Sequence, residues 1–502
     1  MTVPPIDLWR DIPARGHHAV MQEVRVAPRP LETLAAVLPP ARVARLNETA
    51  ARARSRFGDR IVWHVSSTAS GGGVAEMLQT LLAYGNGAEI DNRWLVLDAD
   101  PDFFAITKRI HNMLHGDPGD GGPLGEAEGG HYRSVLATNL DVLLTRVSPG
   151  DIVMLHDPQT AGLVAGLRQA GGRVVWRCHV GRDEPHELAD AAWEFLRPYA
   201  EDADAFVFSR REYAPAWADD SRLMVIPPSI DPYSPKNLEL APAVVSAVLA
   251  RVGLVDGKDP GGHLRFERQA GNSGSVRPHR EAGGLIVDGP PPPTGAPLVV
   301  QVSRWDRLKD MTGVLSGFAQ LALEDPAGSA HLMLVGPETD GVSDDPEGDQ
   351  VLMDCRQRWH QLPDRVRARV HLAAIPMDDR DENAMIVNAV QRHAHVVVQK
   401  SLAEGFGLTV TEAMWKGKPV VASRIGGIQD QITHGRDGLL LDDPHDLTAF
   451  ASMLKQVLED HQLAERLGRA AHARVLDEYV GDRHLERYAD LFERLVAGSP
   501  GR

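Results

Sequence analysis

"HVVVQKSLAEGFGLTVTEAMWKGKPVVAS", residues 395–423, combines two apolar, β-branched runs with a helix-like run between them. Glycines separate the first apolar run from the helix-like pattern. A strand, a helix and a second strand form the repeating unit of parallel sheets, because parallel strands need a crossover connection. The stretch therefore predicts a βαβ unit with a glycine-rich loop at the carboxyl end of its first strand.

The same alternation extends outward from this stretch. An earlier series of strand-like runs includes RIVWHVSS, RWLVLDAD, DIVMLHDPQ and RVVWRCHV, and a later series includes PLVVQVSRWD, AHLMLVGPE and RVHLAAIP. A chain of 502 residues is longer than one hydrophobic core usually organises. We therefore predict an α/β protein with two doubly wound domains.

Changes in composition suggest where these domains begin and end. We expect an N-terminal extension over 1–50, a first domain over 51–235, a second domain over 236–480 and a C-terminal helix over 481–502 that packs back on the first domain. Residues 259–297 are rich in Gly and Pro and have no apolar period, so we predict a loop or a disordered insertion there.

Charge and cysteine content limit the partners and the compartment. A net charge of -16 disfavours nucleic acids and anionic membranes, which the chain would repel. The two cysteines, Cys178 and Cys355, are too few for a disulfide framework. The N-terminus has no signal-peptide pattern, and no apolar run reaches roughly 18 residues. We expect a cytoplasmic protein with small-molecule substrates and no nucleic-acid or membrane partner, while a homodimer stays open.

Two cations follow a strand of the second series. In PLVVQVSRWDRLKD, Arg304 and Lys309 lie on one loop, where both could meet a single anion. A diphosphate suits this pair, because arginine offers a planar fork of donors and lysine a point charge. If the pair stood alone, two solvated surface cations would be the better explanation.

The loop at the opening stretch supplies further candidates. Gly405 and Gly407 let main-chain amides approach a ligand, and a helix that begins near Leu408 would present free N–H groups to an anion. Glu404 is placed to accept hydrogen bonds from sugar hydroxyls. Glu412 has a second explanation, since an acidic residue in the first turns offsets the helix dipole.

The first series also has candidates at its strand ends. Three glycines, Gly71, Gly72 and Gly73, follow the first strand, where either a bound ligand or a tight turn would require a bare backbone. A dinucleotide fingerprint is disfavoured, because Glu76 stands where its last glycine belongs. The Asp98–Asp100 pattern imitates a metal-binding motif, but we expect no metal. Candidate acceptor-binding residues are His156, Asp157, Arg177, His179 and Lys108.

Together, these residues resemble a known family. Glu404 and Glu412, which frame GFG with seven residues between them, are similar to the E-x7-E signature of retaining nucleotide-sugar glycosyltransferases of the fourth sequence family. The resemblance implies the GT-B fold, with two facing Rossmann-like domains and an interdomain cleft. It also implies catalytic roles for Arg304, Lys309 and Glu404. The donor-binding residues it implies are Gly71, Gly72, Gly73, Gly405, Phe406, Gly407, Leu408 and Glu412.

The first half narrows the resemblance further. HVSSTASGGGVAEML, DADPDFFAITKRIHNMLHG, MLHDPQTAGL and VVWRCHVGRDEP resemble the trehalose synthases, which transfer glucose from a nucleotide sugar to glucose. The implied substrate is ADP-, UDP- or GDP-glucose, with no cofactor. Three alternatives stay open: a trehalose phosphorylase that uses inorganic phosphate, a family member with another small acceptor, and a catalytically silent sugar-nucleotide sensor.

Overall fold

The computed structural model describes residues 20–69, 72–268, 271–279, 284–339 and 346–497. The chain divides into two compact units. The first unit runs up to Ser229 and resumes at Gly481, whereas the second comprises Ile230–Val480. No helix in the described part of the chain combines the length and apolar character needed to cross a membrane.

The first unit is built on a seven-stranded sheet in the order β1-β3-β2-β4-β5-β6-β7. All neighbouring strands are parallel except β1, which runs antiparallel to β3. The strands are β1 Gln22–Val24, β2 Val62–Ser66, β3 Asn92–Val96, β4 Ile152–His156, β5 Arg173–Cys178, β6 Ala205–Phe208 and β7 Leu223–Val225. The helices are α1 Glu32–Ala35, α2 Pro40–Phe57, α3 Gly72–Gly87, α4 Pro101–Leu114, α5 Glu126–Leu144, α6 Val164–Gln169 and α7 Glu187–Ala200.

Both faces of this sheet are buried. In β4, Val153 and Leu155 belong to one hydrophobic cluster, whereas Ile152 and Met154 belong to the cluster on the other face. Side chains along a strand alternate between faces, so a strand covered on both sides needs apolar residues at every position. This explains why the strand sequences are continuously apolar instead of alternating with polar residues.

The second unit repeats this architecture around a sheet in the order β10-β13-β12-β11-β14-β15-β16, with a separate β8–β9 hairpin. Its strands are β8 Arg265–Glu267, β9 Ser273–Ser275, β10 Ile286–Asp288, β11 Leu298–Val302, β12 His331–Pro337, β13 Val370–Ile375, β14 Val396–Gln399, β15 Val420–Ser423 and β16 Leu439–Leu441. Its helices are α8 Pro242–Val252, α9 Met311–Glu324, α10 Pro346–His360, α11 Asp364–Arg367, α12 Arg380–His393, α13 Leu408–Trp415, α14 Ile428–Gln431, α15 Leu447–Glu459 and α16 His461–Glu478.

In both sheets the strand order reverses near the middle. The reversal lies between β2 and β4 in the first unit and between β11 and β14 in the second. Ligands of doubly wound sheets bind outside the carboxyl ends of the strands that flank such a reversal. The fold therefore points to the loops after these four strands as the places to look for a site.

The expectation of a loop or disorder over 259–297 was wrong for three short strands. β10 pairs antiparallel with the edge strand β13, and β8 pairs with β9. Arg277 joins this segment to α12, with its Nε 2.5 Å from an Oε of the buried Glu382. Strands of three residues are too short to show an apolar period, and their ion-pair partners lie about a hundred positions away along the chain.

A last helix, α17 Gly481–Ala497, belongs to the first unit and packs on α2 and α3. Arg42 donates to both carboxylate oxygens of the buried Asp482, at 2.8 and 2.6 Å. Phe57 and Phe492 meet edge to face with ring centroids 6.0 Å apart. From residue 20 onward, the segment expected to be an extension thus contributes β1, α1 and α2 to the first unit.

Candidate active site

The second unit brings two candidate residues together at its strand reversal. Lys309 ends a 3-10 turn after β11, and Glu404 lies in the loop after β14. Lys309 Nζ donates to Oε2 of Glu404 at 2.7 Å, and both side chains are largely buried. Ser401 Oγ also donates to this oxygen, at 3.3 Å. The two loops that flank the reversal are therefore joined by a partly shielded ion pair.

Arg304 lies on the same loop as Lys309 and is more open to solvent. Its guanidinium donates to Asp306 at 2.9 Å, and 54% of its side chain is exposed. A surface ion pair of this kind contributes little to stability, so it exchanges readily for a stronger partner. Arg304 therefore reaches solvent at the loop that carries Lys309.

The helix that follows Glu404 starts without a side-chain cap. Gly407 occupies the position before Leu408 with φ at 83°, in the left-handed region that favours glycine. The Val410 amide donates to the Gly407 carbonyl at 2.9 Å, so the first two N–H groups of α13, those of Leu408 and Thr409, are the ones available to an anionic ligand. Gly405 accepts a hydrogen bond from the Gly427 amide at 3.1 Å, so the two glycine-containing loops are held together.

Sequence reasoning missed the residue that holds this arrangement in place. Gln431 has no exposed surface, and its Nε2 donates to the Phe406 carbonyl at 2.5 Å and to the Gly427 carbonyl at 3.2 Å. Its Oε1 accepts from Thr411 Oγ1 at 2.6 Å. One amide thus fixes both loops and α13. In the sequence, Gln431 comes three residues after the end of GGI, and nothing in that spacing indicates a role for it.

Phe406 and Glu412 support the same loop from the interior. Phe406 is buried against Tyr479, with ring centroids 5.6 Å apart. Glu412 is 2% exposed, and its Oε1 lies 3.6 Å from Nζ of Lys236. Burial lowers the pKa of the neighbouring Lys416. Glu412 thus has a cation of its own instead of simply offsetting the helix dipole.

In the first unit, the glycine loop leads directly into a helix. Gly71 lies outside the described residues, Gly72 is the first residue of α3, and Gly73 is exposed in its first turn. Lys108 is exposed on α4. Asp100, from the metal-like pattern, caps α4 by accepting from the Phe103 amide at 2.8 Å, and Asp98 accepts from the Val20 amide at 2.9 Å. Both aspartates thus have structural hydrogen bonds.

Asp157 and His179 form a pair at the strand reversal of the first unit. Oδ1 of Asp157 accepts from the His179 amide at 2.8 Å and lies 3.0 Å from Nδ1 of the same residue. Burial alone would raise the pKa of Asp157, but the charge and hydrogen bonds of His179 outweigh it and lower the pKa. Burial lowers the pKa of His179. The two side chains therefore form one coupled, largely buried pair at this strand end.

The backbone of Asp157 is in an unfavourable conformation. Its φ and ψ are 65° and 176°, a region that residues other than glycine rarely occupy. Such a conformation costs on the order of 1–3 kcal/mol and is found preferentially at functional sites. The unfavourable backbone conformation of Asp157 places its carboxylate where it orients His179.

His156 and Arg177 lie deeper, in the interior of the first unit. Both have at most 1% exposed surface. His156 Nε2 is 3.2 Å from Nδ1 of His64, and an Arg177 guanidinium nitrogen is 3.3 Å from Nε2 of His484 on α17. In this conformation, neither His156 nor Arg177 presents a surface to a ligand. They instead support the strand end that carries Asp157 and His179.

Comparison with known proteins supports the fold and identifies the family. Residues 64–215 match the family "Trehalose synthase, N-terminal domain", and residues 287–474 match "Glycosyl transferases group 1". A trehalose synthase of Thermococcus litoralis is 32% identical over 86% of this chain and 90% of its own length. One from Rubrobacter xylanophilus is 32% identical over 90% of this chain and 93% of its own length.

More distant proteins are consistent with this family and fold. A trehalose phosphorylase of Grifola frondosa is 26% identical over 82% of this chain, which spans 54% of that longer protein. Among solved structures, the trehalose-6-phosphate synthase OtsA superposes with a TM-score of 0.64 at 16% identity, over 88% of this chain and all of its own. That likeness confirms the predicted GT-B fold of two Rossmann-like units. On the identity and coverage of its relatives, the chain belongs to the trehalose synthase family of glycosyltransferases.

Proposed function

We propose that this protein is a retaining glycosyltransferase that forms α,α-trehalose from a nucleoside diphosphate glucose and glucose. The observation that carries the proposal is the Lys309–Glu404 pair beside the uncapped start of α13, at the strand reversal of the second unit. A cation and free backbone N–H groups next to one another make a site for a diphosphate. The family membership of the chain supports the same assignment.

Catalysis in this proposal rests on charge that develops in the leaving group. As the bond between the anomeric carbon and the diphosphate lengthens, negative charge grows on the phosphate oxygens. Lys309, Arg304 and the amides at the start of α13 stabilise that charge, and such preorganised donors usually supply the largest part of catalysis. Glu404 orients Lys309 and accepts hydrogen bonds from the glucosyl hydroxyls. We propose that the nucleotide sugar is a substrate and that no resident cofactor is needed.

The first unit supplies the groups for the acceptor. When His179 donates from Nδ1 to Asp157, its Nε2 becomes the accepting nitrogen of a neutral ring. That Nε2 is buried and has no hydrogen-bond partner among the described residues. An acceptor hydroxyl can donate to it, and an exposed Lys108 on α4 can contact the same small molecule from solvent. Asp157 and His179 therefore position the acceptor.

Retention of configuration follows from attack on the face that the diphosphate leaves. The bond from the anomeric carbon to the phosphate oxygen breaks, a bond to the acceptor oxygen forms, and the leaving phosphate oxygen takes the acceptor's proton. No protein nucleophile is required on this route. Isolation of a glucosyl-enzyme adduct by mass spectrometry would overturn it in favour of double displacement.

The decisive experiment compares donors directly. Purified protein is incubated with glucose and ADP-, UDP- or GDP-glucose, and in parallel with trehalose and inorganic phosphate. We expect trehalose and a nucleoside diphosphate in equal amounts from at least one donor. The 26% identical phosphorylase motivates the parallel reaction. Glucose 1-phosphate formed only from trehalose and phosphate would reassign the protein as a phosphorylase.

We also propose that the protein works in the reducing cytoplasm. Cys178 and Cys355 are both buried free thiols. Burial raises the pKa of both thiols, to about 12 for Cys355, which keeps them protonated and unreactive. Thiols of this kind need no oxidising compartment, and thiol counting on the denatured, unreduced protein checks that neither is blocked.

A further inference from the structure

A polar groove in the second unit lies beside the Lys309–Glu404 pair and is not used by the proposed reaction. Its volume is about 440 Å³, which is within the range of roughly 300–1,000 Å³ typical of small-molecule sites. Its walls are formed by the first turns of α9, the C-terminal half of α10 and the residues at the start of α15. The lining residues are Asp310, Thr312, Gly313, Ser316, Asp354, Gln357, Arg358, Gln361, Lys400, His445 and Leu447.

A largely buried ion pair forms the base of the groove. Lys400, with 1% of its side chain exposed, pairs with Asp310. Asp310 also caps α9 by accepting from the Gly313 amide at 3.1 Å, and it adopts a left-handed backbone with φ at 46°. A side chain at Gly313 would collide with the Asp310 carboxylate, since an added Cβ would lie 2.1 Å from its oxygen. This end of the groove is therefore rigid.

The chemistry of the lining selects a neutral ligand. Among the lysine, arginine, aspartate and glutamate side chains of the groove, two cations, Lys400 and Arg358, match two anions, Asp310 and Asp354. Neither phosphate nor a cationic ligand would find a surplus of opposite charge there. Apart from Leu447 and Gly313 the lining is polar, so an apolar molecule would gain little burial.

Hydroxyl groups fit the remaining donors and acceptors. Thr312 offers a hydroxyl, and Gln357 and Gln361 offer amides that both donate and accept. Ser316 Oγ is already engaged, because it donates to the Thr312 carbonyl at 2.8 Å and accepts from Arg358 at 3.2 Å. A sugar hydroxyl also donates and accepts, so several of them can be satisfied at once along such walls. We propose that this groove is an accessory binding site for a neutral mono- or disaccharide, distinct from the donor and acceptor sites of the proposed reaction.

The position of the groove links it to the donor loops. Asp310 directly follows Lys309 in the chain, and Lys400 lies four residues before Glu404. The Asp310–Lys400 and Lys309–Glu404 pairs thus join the same two loops side by side. A saccharide that contacts the Asp310–Lys400 pair also shifts the two loops that hold the Lys309–Glu404 pair. Occupancy of the groove therefore alters the affinity of the protein for the nucleotide sugar.

The test counts saccharide sites by equilibrium dialysis with radiolabelled glucose and, separately, trehalose. The double variant Gln357→Ala/Gln361→Ala alters one wall while keeping strong helix formers. Exposed glutamines elsewhere in the second unit give the matched control, Gln456→Ala/Gln462→Ala. We expect the wild type and the control to bind one more equivalent of at least one sugar per chain than the double variant.

Each other outcome overturns the inference. Equal binding by all three proteins would show that the groove holds no saccharide. Displacement of the extra equivalent by millimolar inorganic phosphate would assign an anion site instead. Circular dichroism checks that the double variant is folded. The dialysis experiment measures binding stoichiometry and needs no turnover, so its result is independent of the transfer assay. The proposed function would be wrong only if no donor yielded trehalose.

Discussion

The buried histidines of the first unit make its stability sensitive to mild acid. His64, His156 and His484 are fully enclosed around Arg177. Burial, followed by the charge of Arg177, lowers the pKa of His64 to about 3. Burial likewise holds the pKa of His156 and His484 well below the ordinary value. All three therefore stay neutral in the folded protein at a pH where they would be protonated in the unfolded chain.

The sign and size of the effect follow from proton linkage. The folded pKa values lie below the unfolded value near 6.5, so the unfolded chain binds more protons below pH 6.5. Stability is therefore complete above about pH 6.5 and falls as the pH drops toward the folded values. Relative to the plateau at high pH, each histidine contributes a loss of about 1.4 kcal/mol at pH 5.5, and the three together about 4 kcal/mol. Of this, about 3 kcal/mol is lost between pH 6.5 and pH 5.5. This window lies above the range in which ordinary carboxylates titrate.

Urea unfolding at pH 7.5, 6.5 and 5.5, followed by the fluorescence of buried tryptophans such as Trp63 and Trp176, measures this loss. The variant His64→Gln removes one of the three groups, so its loss between pH 6.5 and 5.5 should be smaller by about a third. The exposed His461→Gln is the control and should behave as wild type. A wild-type loss below about 1 kcal/mol, or an unchanged loss in His64→Gln, would refute the reasoning.

Four further predictions concern the site and the fold. Lys309→Ala should lower kcat by about 10²–10³-fold in the transfer assay with an unchanged circular dichroism spectrum, and wild-type turnover would remove the phosphate assignment. Gln431→Ala should raise KM for the nucleotide sugar about tenfold while KM for glucose stays constant, because it releases the loops around Phe406 and Gly427. If both constants moved together, Gln431 would be a general packing residue. Asp157→Asn should lower kcat/KM for glucose by roughly 10–100-fold by weakening the hydrogen bond that orients His179, and an equal effect on the donor would argue against an acceptor role. Arg42→Ala should destabilise the first unit by about 3–5 kcal/mol in urea unfolding because it strands the buried Asp482, whereas the added change Asp482→Asn should recover part of the loss.

The fold could be predicted because it depends on local patterns. The stretch 395–423 contains a strand, its loop, a helix and the next strand, and the structure has β14, α13 and β15 there. A sheet covered on both faces requires continuous apolar strands, and these are visible in a single sequence. The short β8, β9 and β10 could not be predicted, because their stability comes from edge pairing and from ion pairs to α12 rather than from their own residues.

The site was only partly visible from the sequence for a related reason. Lys309 and Glu404 each follow a strand of the second series and were both predicted to belong to the site, and they lie 2.7 Å apart. The burial of Arg177 could not be predicted in the same way. Arg177 lies in β5, two residues before His179, and its side chain is directed toward His484, a partner 307 positions later on a helix that returns to the first unit. Partners so far apart in the chain leave no periodic signal.

Non-glycine residues with strained backbone conformations give independent evidence for the position of the functional sites. Among the described residues, the non-glycine positions with positive φ are Glu89, Asp157 and Asp310. Two of these three lie in the loops that follow the strands beside the reversals: Asp157 comes directly after β4, and Asp310 is the C-cap of the 3-10 turn in the loop after β11. Each is an aspartate that holds a basic side chain, His179 in one unit and Lys400 in the other. Glycine would occupy either backbone at lower cost, but it has no carboxylate to hold His179 or Lys400.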